Sequence, residues 1–398
     1  MTQARQPLQT LYVPADRVTR STVSEFGAEA VRLLEAHAAD AEAFVDAFGT
    51  AVDFAERTRE RTLLRLERLP VEDLRVDFED GYGVRSDEEE DKHAEAAARA
   101  VHQELAGAWV PTTVSPVAPA PRWFGPRVKS FDDGALRARS VRTLDRFVST
   151  LVEEDGSLPD GLRITFPKVS DPAQVAAFAE TLSGLESSLG LAGGSLRFEV
   201  QIETPRSVLG PDGAAAAPRI LEAGDGRITA MHLGVFDYTA SLGLMPWEQR
   251  LDHPANDFAR QVLQVALAGT GVWLSDGSSN IVPANDETRA VRAAWRRHAD
   301  QVRHSLSNGF YQGWDLHPAH LVSRYAAVYG WLHERLGGAL ERVTAWRERA
   351  SSRGVLDEPA TISSLLRCLR FAVASGAIDE AVVLSETGLR RDELFPDG

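Results

Sequence analysis

Lysine is nearly missing from this 398-residue chain: of its 43 basic residues only Lys92, Lys129 and Lys168 are lysine, and the rest are arginine. A compact ammonium differs physically from a flat guanidinium. Two of the three lysines lie in strand-like segments, GPRVKSF and RITFPKV, which marks them for attention. Cysteine is reduced to Cys368, in an apolar helix-like run; this excludes an internal disulfide framework and fits a reducing, cytoplasmic compartment. No stretch approaches ~18 apolar residues, and MTQARQPLQT lacks the apolar run of a secretion signal. Net positive charge is absent too. At −15 the chain is not a general binder of nucleic acid or anionic membranes, which need a positive field. A small anionic substrate needs only local positive charge and stays open. No GxGxxG follows the first strand-like run, and no GxxxxGK[ST] occurs anywhere.

What is present is a regular alternation. Eight strand-like runs stand at 8–15, 74–80, 125–131, 163–169, 196–203, 228–237, 270–277 and 310–317, with helical periodicity between most of them. AEAVRLLEAHAADAEAFVDAF reads as one helix after the first run, and DEEEDKHAEAAARAVHQELAGA as another after the second. This pattern predicts an α/β fold, a (β/α)8 TIM barrel, over residues 1–320, with a C-terminal helical cap or lid over 321–398. Two segments break the regularity. The first, at 84–122, holds the acidic SDEEED and a Pro-rich stretch; the second is a short loop at 211–219.

In such a barrel chemistry collects at the C-terminal ends of the strands. Here those ends carry Asp16, Glu79 and Asp80, Arg127 and Lys129, Lys168, Glu203, Asp237, Asp276 and His317. Neutral loop residues would serve a purely structural rim equally well, so charge at every ending reads as a site. In LRFEVQIE, Leu196, Phe198, Val200 and Ile202 alternate with Arg197, Glu199, Gln201 and Glu203, so Glu203 tops a polar face. Asp237 ends the next strand. Neighbouring strands lie ~4.8 Å apart, so the two carboxylates can converge on one cation. Oxygen ligands with open positions suit Mg²⁺, or Mn²⁺, with Glu79 and Asp80 holding bound waters. The structural alternative is ion pairing of these carboxylates with Arg127 or Lys168.

The segments DFEDG (77–81), RVKS (127–130), FPKVSDPAQV (166–175), IETPRSV (202–208), LGVFDYTASLG (233–243) and HPAH (317–320) occur in an order that resembles the citrate lyase β-subunit-like proteins, or HpcH/HpaI aldolase family, of the pyruvate/phosphoenolpyruvate barrel superfamily. The match covers most of 70–320, in a chain longer than typical members. The resemblance implies a Mg²⁺-dependent carbon–carbon lyase or aldolase acting next to a carbonyl, with Glu203 and Asp237 as metal ligands. It implies that Arg127 binds substrate carboxylate and carbonyl oxygens, and that Glu79 and Asp80 support the metal's waters. DEP at 357–359 is similar to a lid segment of the coenzyme A-dependent members, which would make Asp357 a general acid or base. The structural alternative there is a helix N-cap.

The mechanism this implies chelates a 2-keto acid or glyoxylate through the metal, with Arg127 and Lys168 on the substrate and the backbone of Gly234, Val235 and Phe236 at its carboxylate. Asp357 or Glu79 would move the proton. An acyl-coenzyme A thioester is the possible second substrate, and a lid carrying Asp357 predicts a homo-oligomer. Rival readings are a metal-free Schiff-base aldolase using Lys168 or Lys129, a phosphoenolpyruvate-type phosphoryl enzyme, and a barrel that binds its ligand without turnover. His317, before Pro318, reads as a structural cap, His232 as a core histidine, and RAVRAAWRRHADQVR as a solvated basic face.

Overall fold

The computed structural model describes residues 6–107, 121–348 and 358–396. The eight expected strands form: β1 (Gln9–Pro14), β2 (Asp73–Asp77), β3 (Trp123–Arg127), β4 (Ile164–Phe166), β5 (Phe198–Ile202), β6 (Ile228–Leu233), β7 (Trp273–Ser275) and β8 (Gly313–Asp315). All pairings are parallel, in the order β7-β6-β5-β4-β3-β2-β1-β8. Between β7 and β8 the circle closes just past the strand ends. Ser278 bridges Trp314, and the Asp276 N–H reaches the Gln312 carbonyl at 2.8 Å. Helices wrap the outside, so this is a (β/α)8 barrel.

Period two decides what faces inward. In β2, Leu74 and Val76 join the apolar layer under the helices, while Asp73, Arg75 and Asp77 face the barrel axis. In β5, Phe198, Val200 and Ile202 pack outward, and Glu199 and Gln201 turn in. The axis is therefore filled with polar groups rather than the usual aliphatic layers. Arg75 spans it, bonded to Asp73 on its own strand, to Thr165 at 2.9 Å and to Glu199 at 2.8 Å. His232 approaches Glu199 at 3.2 Å and accepts a hydrogen bond from the Trp314 indole at 2.8 Å, so it is the core histidine expected. Arg75→Met would leave two buried carboxylates without their cation. It should cost about 3–5 kcal/mol, read as a lowered midpoint in urea unfolding.

The first crossover departs from expectation. The stretch expected to be one helix breaks at Ala38–Asp40 into Thr22–His37 and Ala41–Phe48, with the Asp40 carboxylate accepting from the Ala43 N–H at 2.8 Å. A third helix, Val52–Arg68, follows, unread in the sequence because its buried stripe is only Ala55, Thr58, Thr62 and Leu66. The basic helix Thr288–Ser307 is not a solvated face. Arg296 and Arg303 donate to the carbonyls of Val45, Asp46, Ala47 and Phe48, satisfying the end of Ala41–Phe48. The acidic 87–90 run is the first turn of Asp87–Gly107, where negative charge favours the helix dipole; Asp87 and Glu90 pair with Arg139, and the following Asp91 with Arg139 and Arg142.

Helix Pro318–Arg347 runs unbroken through residue 320 and packs against Thr288–Ser307 and Val52–Arg68. Pro359–Ser375, Glu380–Thr387 and Arg391–Leu394 follow it. They are tied to its outer side, where Tyr329 donates to the Ser375 carbonyl at 2.8 Å and His333 bonds Ala377 at 2.9 Å. None of the described helices is long and apolar enough to cross a membrane.

Candidate active site

A cavity of about 510 Å³ opens at the C-terminal ends of the strands, within the usual range for small-molecule sites. Its polar lining comes from Arg17 after β1, Asp77 at the end of β2 with Asp80 in the following loop, Arg127 at the end of β3, Glu203 after β5, Asp237 after β6, and Ser278 and Asn280 after β7. Tyr12, Trp314, Leu316 and Phe236 supply apolar wall.

Arg127 is fixed before any ligand arrives. Its Nε and Nη2 donate to the two Asp77 oxygens at 2.6 and 2.7 Å, and Nη1 lies 3.3 Å from Glu79. The Asp77 carboxylate also accepts the N–H groups of Glu79 and Gly81, at 2.9 and 2.8 Å. A Cβ on Gly81 would come within 2.6 Å of that carboxylate, so DFEDG is a turn built around its first residue. The Tyr12 ring covers the guanidinium at 5.0 Å.

Glu203 is 2 % exposed and accepts the Lys168 backbone N–H at 2.9 Å. To present that N–H, Lys168 adopts φ +53, a left-handed conformation rare outside glycine. Burial, reinforced by the charges of Glu79 and Asp237 against the pull of Arg127, pushes the Glu203 carboxyl up to about 8. The Lys168 ammonium lies 2.7 Å from Glu79, 2.9 Å from Asp80 and 3.2 Å from Asp237. Against the cost of burial, Glu79 and Asp80 hold its proton more tightly than an ordinary lysine's. Burial raises Glu79 as well, despite Arg127 and Lys168.

Glu203 packs directly on Gly234, where a Cβ would overlap its side chain. Gly234→Ala should therefore displace Glu203, leave the barrel folded at a cost of about 1–3 kcal/mol, and abolish divalent-cation binding in calorimetry. The Gly234 N–H is committed to the Ile202 carbonyl at 2.9 Å; Val235 and Phe236, also lining the cavity, open the next helix.

The other strand endings lie elsewhere. Lys129 donates to the Phe78 carbonyl at 2.6 Å and to Glu90 at 2.8 Å. Asp276 is buried against Arg260 and Ser305, and Asp16 pairs with Arg85. His317 caps its helix, as read, by accepting the Ala319 N–H at 3.1 Å. Asp357 lies outside the described residues, and no described residue beyond Leu316 lines the cavity. Residues 108–120 of the Pro-rich stretch lie outside them too, while 211–219 forms a tight turn, with the Gly210 N–H on the Ala214 carbonyl at 2.8 Å. Sequence reasoning missed Arg17, Tyr12, Asp77, Ser278 and Asn280; for Asp77 the signal was available, since it shares the inward face of Asp73 and Arg75.

Of the carboxylates gathered around Arg127 and Lys168, Asp77 is spent on Arg127, and Glu79 and Asp80 lie on the Lys168 ammonium. Glu203 and Asp237 line the cavity and are the oxygen donors that a divalent ion there would use. Among the described residues, the one group of three or more potential ligand atoms all within 4.8 Å of one another is His298, Asp315 and His320, buried away from this cavity. There Arg324 already holds Asp315, and both His320 nitrogens are engaged, with the Leu316 N–H and the Ile281 carbonyl. That chemistry fits a structural network better than a cation.

Residues 1–396 match one protein family, a domain of unknown function designated DUF6986. The chain belongs to this family. No curated protein matches this DUF6986 chain in sequence. Among solved structures it is similar to a citrate lyase from Burkholderia xenovorans, with 17 % identity, coverage of 98 % of this chain and 99 % of that one, and a TM-score of 0.60. It is also similar to the Haloferax volcanii malate synthase in a magnesium/glyoxylate complex, with 15 % identity, coverage of 96 % and 98 %, and a TM-score of 0.51. At these identities the likeness is one of fold, and it runs over nearly the whole of each chain. The resemblance of the DUF6986 chain to citrate lyase-like barrels thus holds in architecture.

Proposed function

We propose that this protein is a divalent-cation-dependent carbon–carbon lyase or aldolase that makes or breaks a bond beside the carbonyl of a 2-oxo acid or glyoxylate. The observation that carries this is the gathering of Glu203, just past β5, and Asp237, in the first turn of the helix after β6, around a cavity whose arginine is already locked in plane. The similar malate synthase was solved with magnesium and glyoxylate. Glu203 and Asp237 would hold Mg²⁺ or Mn²⁺, with Glu79 and Asp80 behind them. Bound there, the ion would polarise the substrate carbonyl. Arg127 keeps unused N–H donors for the oxygen that turns negative as the bond breaks, and Asp77 prevents it from rotating away. Glu79, raised by burial, sits beside Arg127 and Lys168 and can accept a proton. Asp357 is a second proposed acid or base, and an acyl-coenzyme A thioester the proposed co-substrate.

A Schiff-base aldolase is less well supported. That chemistry needs a lysine with a lowered proton affinity, whereas Lys168 is held protonated by carboxylates and Lys129 points outside the cavity.

A cleavage screen of 4-hydroxy-2-oxo acids against β-hydroxyacyl-coenzyme A thioesters, with and without EDTA, tests the reading. Turnover should vanish with chelator and return with Mg²⁺; turnover indifferent to EDTA would overturn it. Cation binding should also be linked to protons. A Glu203 carboxyl pushed up to about 8 by burial would carry its proton at neutral pH, so Mg²⁺ binding there should release one. Affinity should fall about tenfold per pH unit below about 8 and level off above it, measured by calorimetry from pH 6 to 9.

A further inference from the structure

The other mouth of the barrel, at the N-terminal ends of the strands, also gathers arginines. Arg122, Arg163, Arg197 and Arg227 stand immediately before β3, β4, β5 and β6. Arg227 is spent on Glu186, at 2.6 and 2.9 Å, and Arg122 covers the Trp123 ring at 5.2 Å. Arg163 and Arg197 have no such partner. Among the described residues the half-buried Arg163 side chain makes one hydrogen bond, from Nη1 to the Leu162 carbonyl at 2.7 Å, and its Nε is buried without an acceptor. The exposed Arg197 side chain makes no hydrogen bond or ion pair among the described residues. Period two places both on the axial face. Arg163 precedes Thr165 by two residues and Arg197 precedes Glu199 by two, and Thr165 and Glu199 both bond Arg75 on the axis. Ile164 pairs with Phe198, and the Ile164 N–H donates to the Arg197 carbonyl at 3.1 Å, so Arg163 and Arg197 are neighbours across β4 and β5. Burial, with the charges of Arg75 and Arg197, lowers the proton affinity of the Arg163 guanidinium despite Glu199. Elsewhere the fold supplies the counterion that a structural arginine needs, as Glu186 does for Arg227 and Glu199 for Arg75. Here it supplies none.

We infer that Arg163 and Arg197 form a seat for a phosphate dianion, free or carried by a larger molecule, on the face of the barrel remote from the cavity. Two guanidinium forks side by side present more donors than one carboxylate can accept, whereas the oxygens of a phosphate can take bonds from both. A dianion also matches both charges at once, and it gives the buried Arg163 Nε the acceptor it lacks. The chain is strongly acidic, at −15, so an unneutralised pair of cations stands out against the surface around it. The inference stands apart from the chemistry proposed for the cavity: the seat would hold its ligand whatever reaction runs at the other mouth.

The test is calorimetric titration of the full chain with inorganic phosphate, glycerol 3-phosphate and acetate, at low salt, without divalent cations, and above neutral pH, where both phosphates are dianions. At least one phosphate should bind saturably, and acetate about tenfold or more weakly. Arg163→Gln and Arg197→Gln should each weaken that binding about tenfold or more, and Arg197→Lys should restore part of it. Arg17→Gln, at the cavity, should leave it unchanged. Because the Arg197 side chain is exposed and bonded to nothing in the described fold, its replacement keeps the barrel intact, and the answer does not depend on Arg163→Gln folding. Tighter binding of glycerol 3-phosphate than of inorganic phosphate assigns the seat to a phosphorylated molecule; the reverse order, or equality, assigns it to free phosphate. No saturable binding of either phosphate overturns the inference. So does acetate binding as tightly as phosphate, phosphate binding that survives Arg197→Gln, or phosphate binding that is lost with Arg17→Gln, which would move the anion to the cavity.

Discussion

Glu203→Gln is expected to lower Mg²⁺-dependent turnover about 1,000-fold or more while leaving the protein at least as stable as before. The two halves of this result have one cause. Glu203 is buried, and the cost of keeping it charged there is what raises its carboxyl to about 8. A neutral amide of the same shape escapes that cost and can still accept the Lys168 N–H now bonded at 2.9 Å. Above pH 8, where the wild-type carboxylate is charged, metal-free Glu203→Gln should therefore melt at the same temperature or higher, measured by scanning calorimetry. Activity collapsing together with the fold would mean that Glu203 is a structural residue. Asp237→Asn should lose activity similarly, with a smaller effect on stability, since its side chain is 45 % exposed and its contact in the site is Lys168 at 3.2 Å.

The second large effect is at Arg127. Arg127→Lys keeps the charge but cannot reproduce two parallel bonds to Asp77 while facing the cavity. Turnover should fall about 100- to 1,000-fold, and stability by about 3 kcal/mol as buried Asp77 loses half its partners. The KM for the oxo acid should rise less than kcat falls, because the guanidinium matters most as charge develops on the carbonyl oxygen. Steady-state kinetics beside urea unfolding separates the two losses. Unchanged kcat would remove Arg127 from the chemistry.

The barrel was legible because eight short runs of strand-like alternation recur along the chain with helical periodicity between most of them. Glu203 and Arg127 were legible for a related reason: they stand at the ends of those runs on the axial face. Asp237, expected to end a strand, instead stands in the first turn of the helix Val235–Ser241 that follows β6. Errors arose where one-dimensional position stood in for direction. Lys129 sits past the end of β3, yet its side chain turns to Glu90 between the helices, and Asp276 after β7 turns to Arg260. Neither could be separated from Arg127 without knowing which way the chain leaves the sheet. Helix Val52–Arg68 escaped notice because arginine stems and threonines cover a face that apolar periodicity alone does not mark. Arg17 escaped because a single arginine after a strand resembles any solvated loop residue; only its place in the cavity lining distinguishes it.

Anomalous diffraction from crystals soaked with Mn²⁺ tests the central claim most directly. One ion should appear between a Glu203 oxygen and an Asp237 oxygen, at the floor of the cavity beside Arg127. An ion seated instead at His298, Asp315 and His320, or a well-occupied crystal with none touching Glu203, would contradict the account.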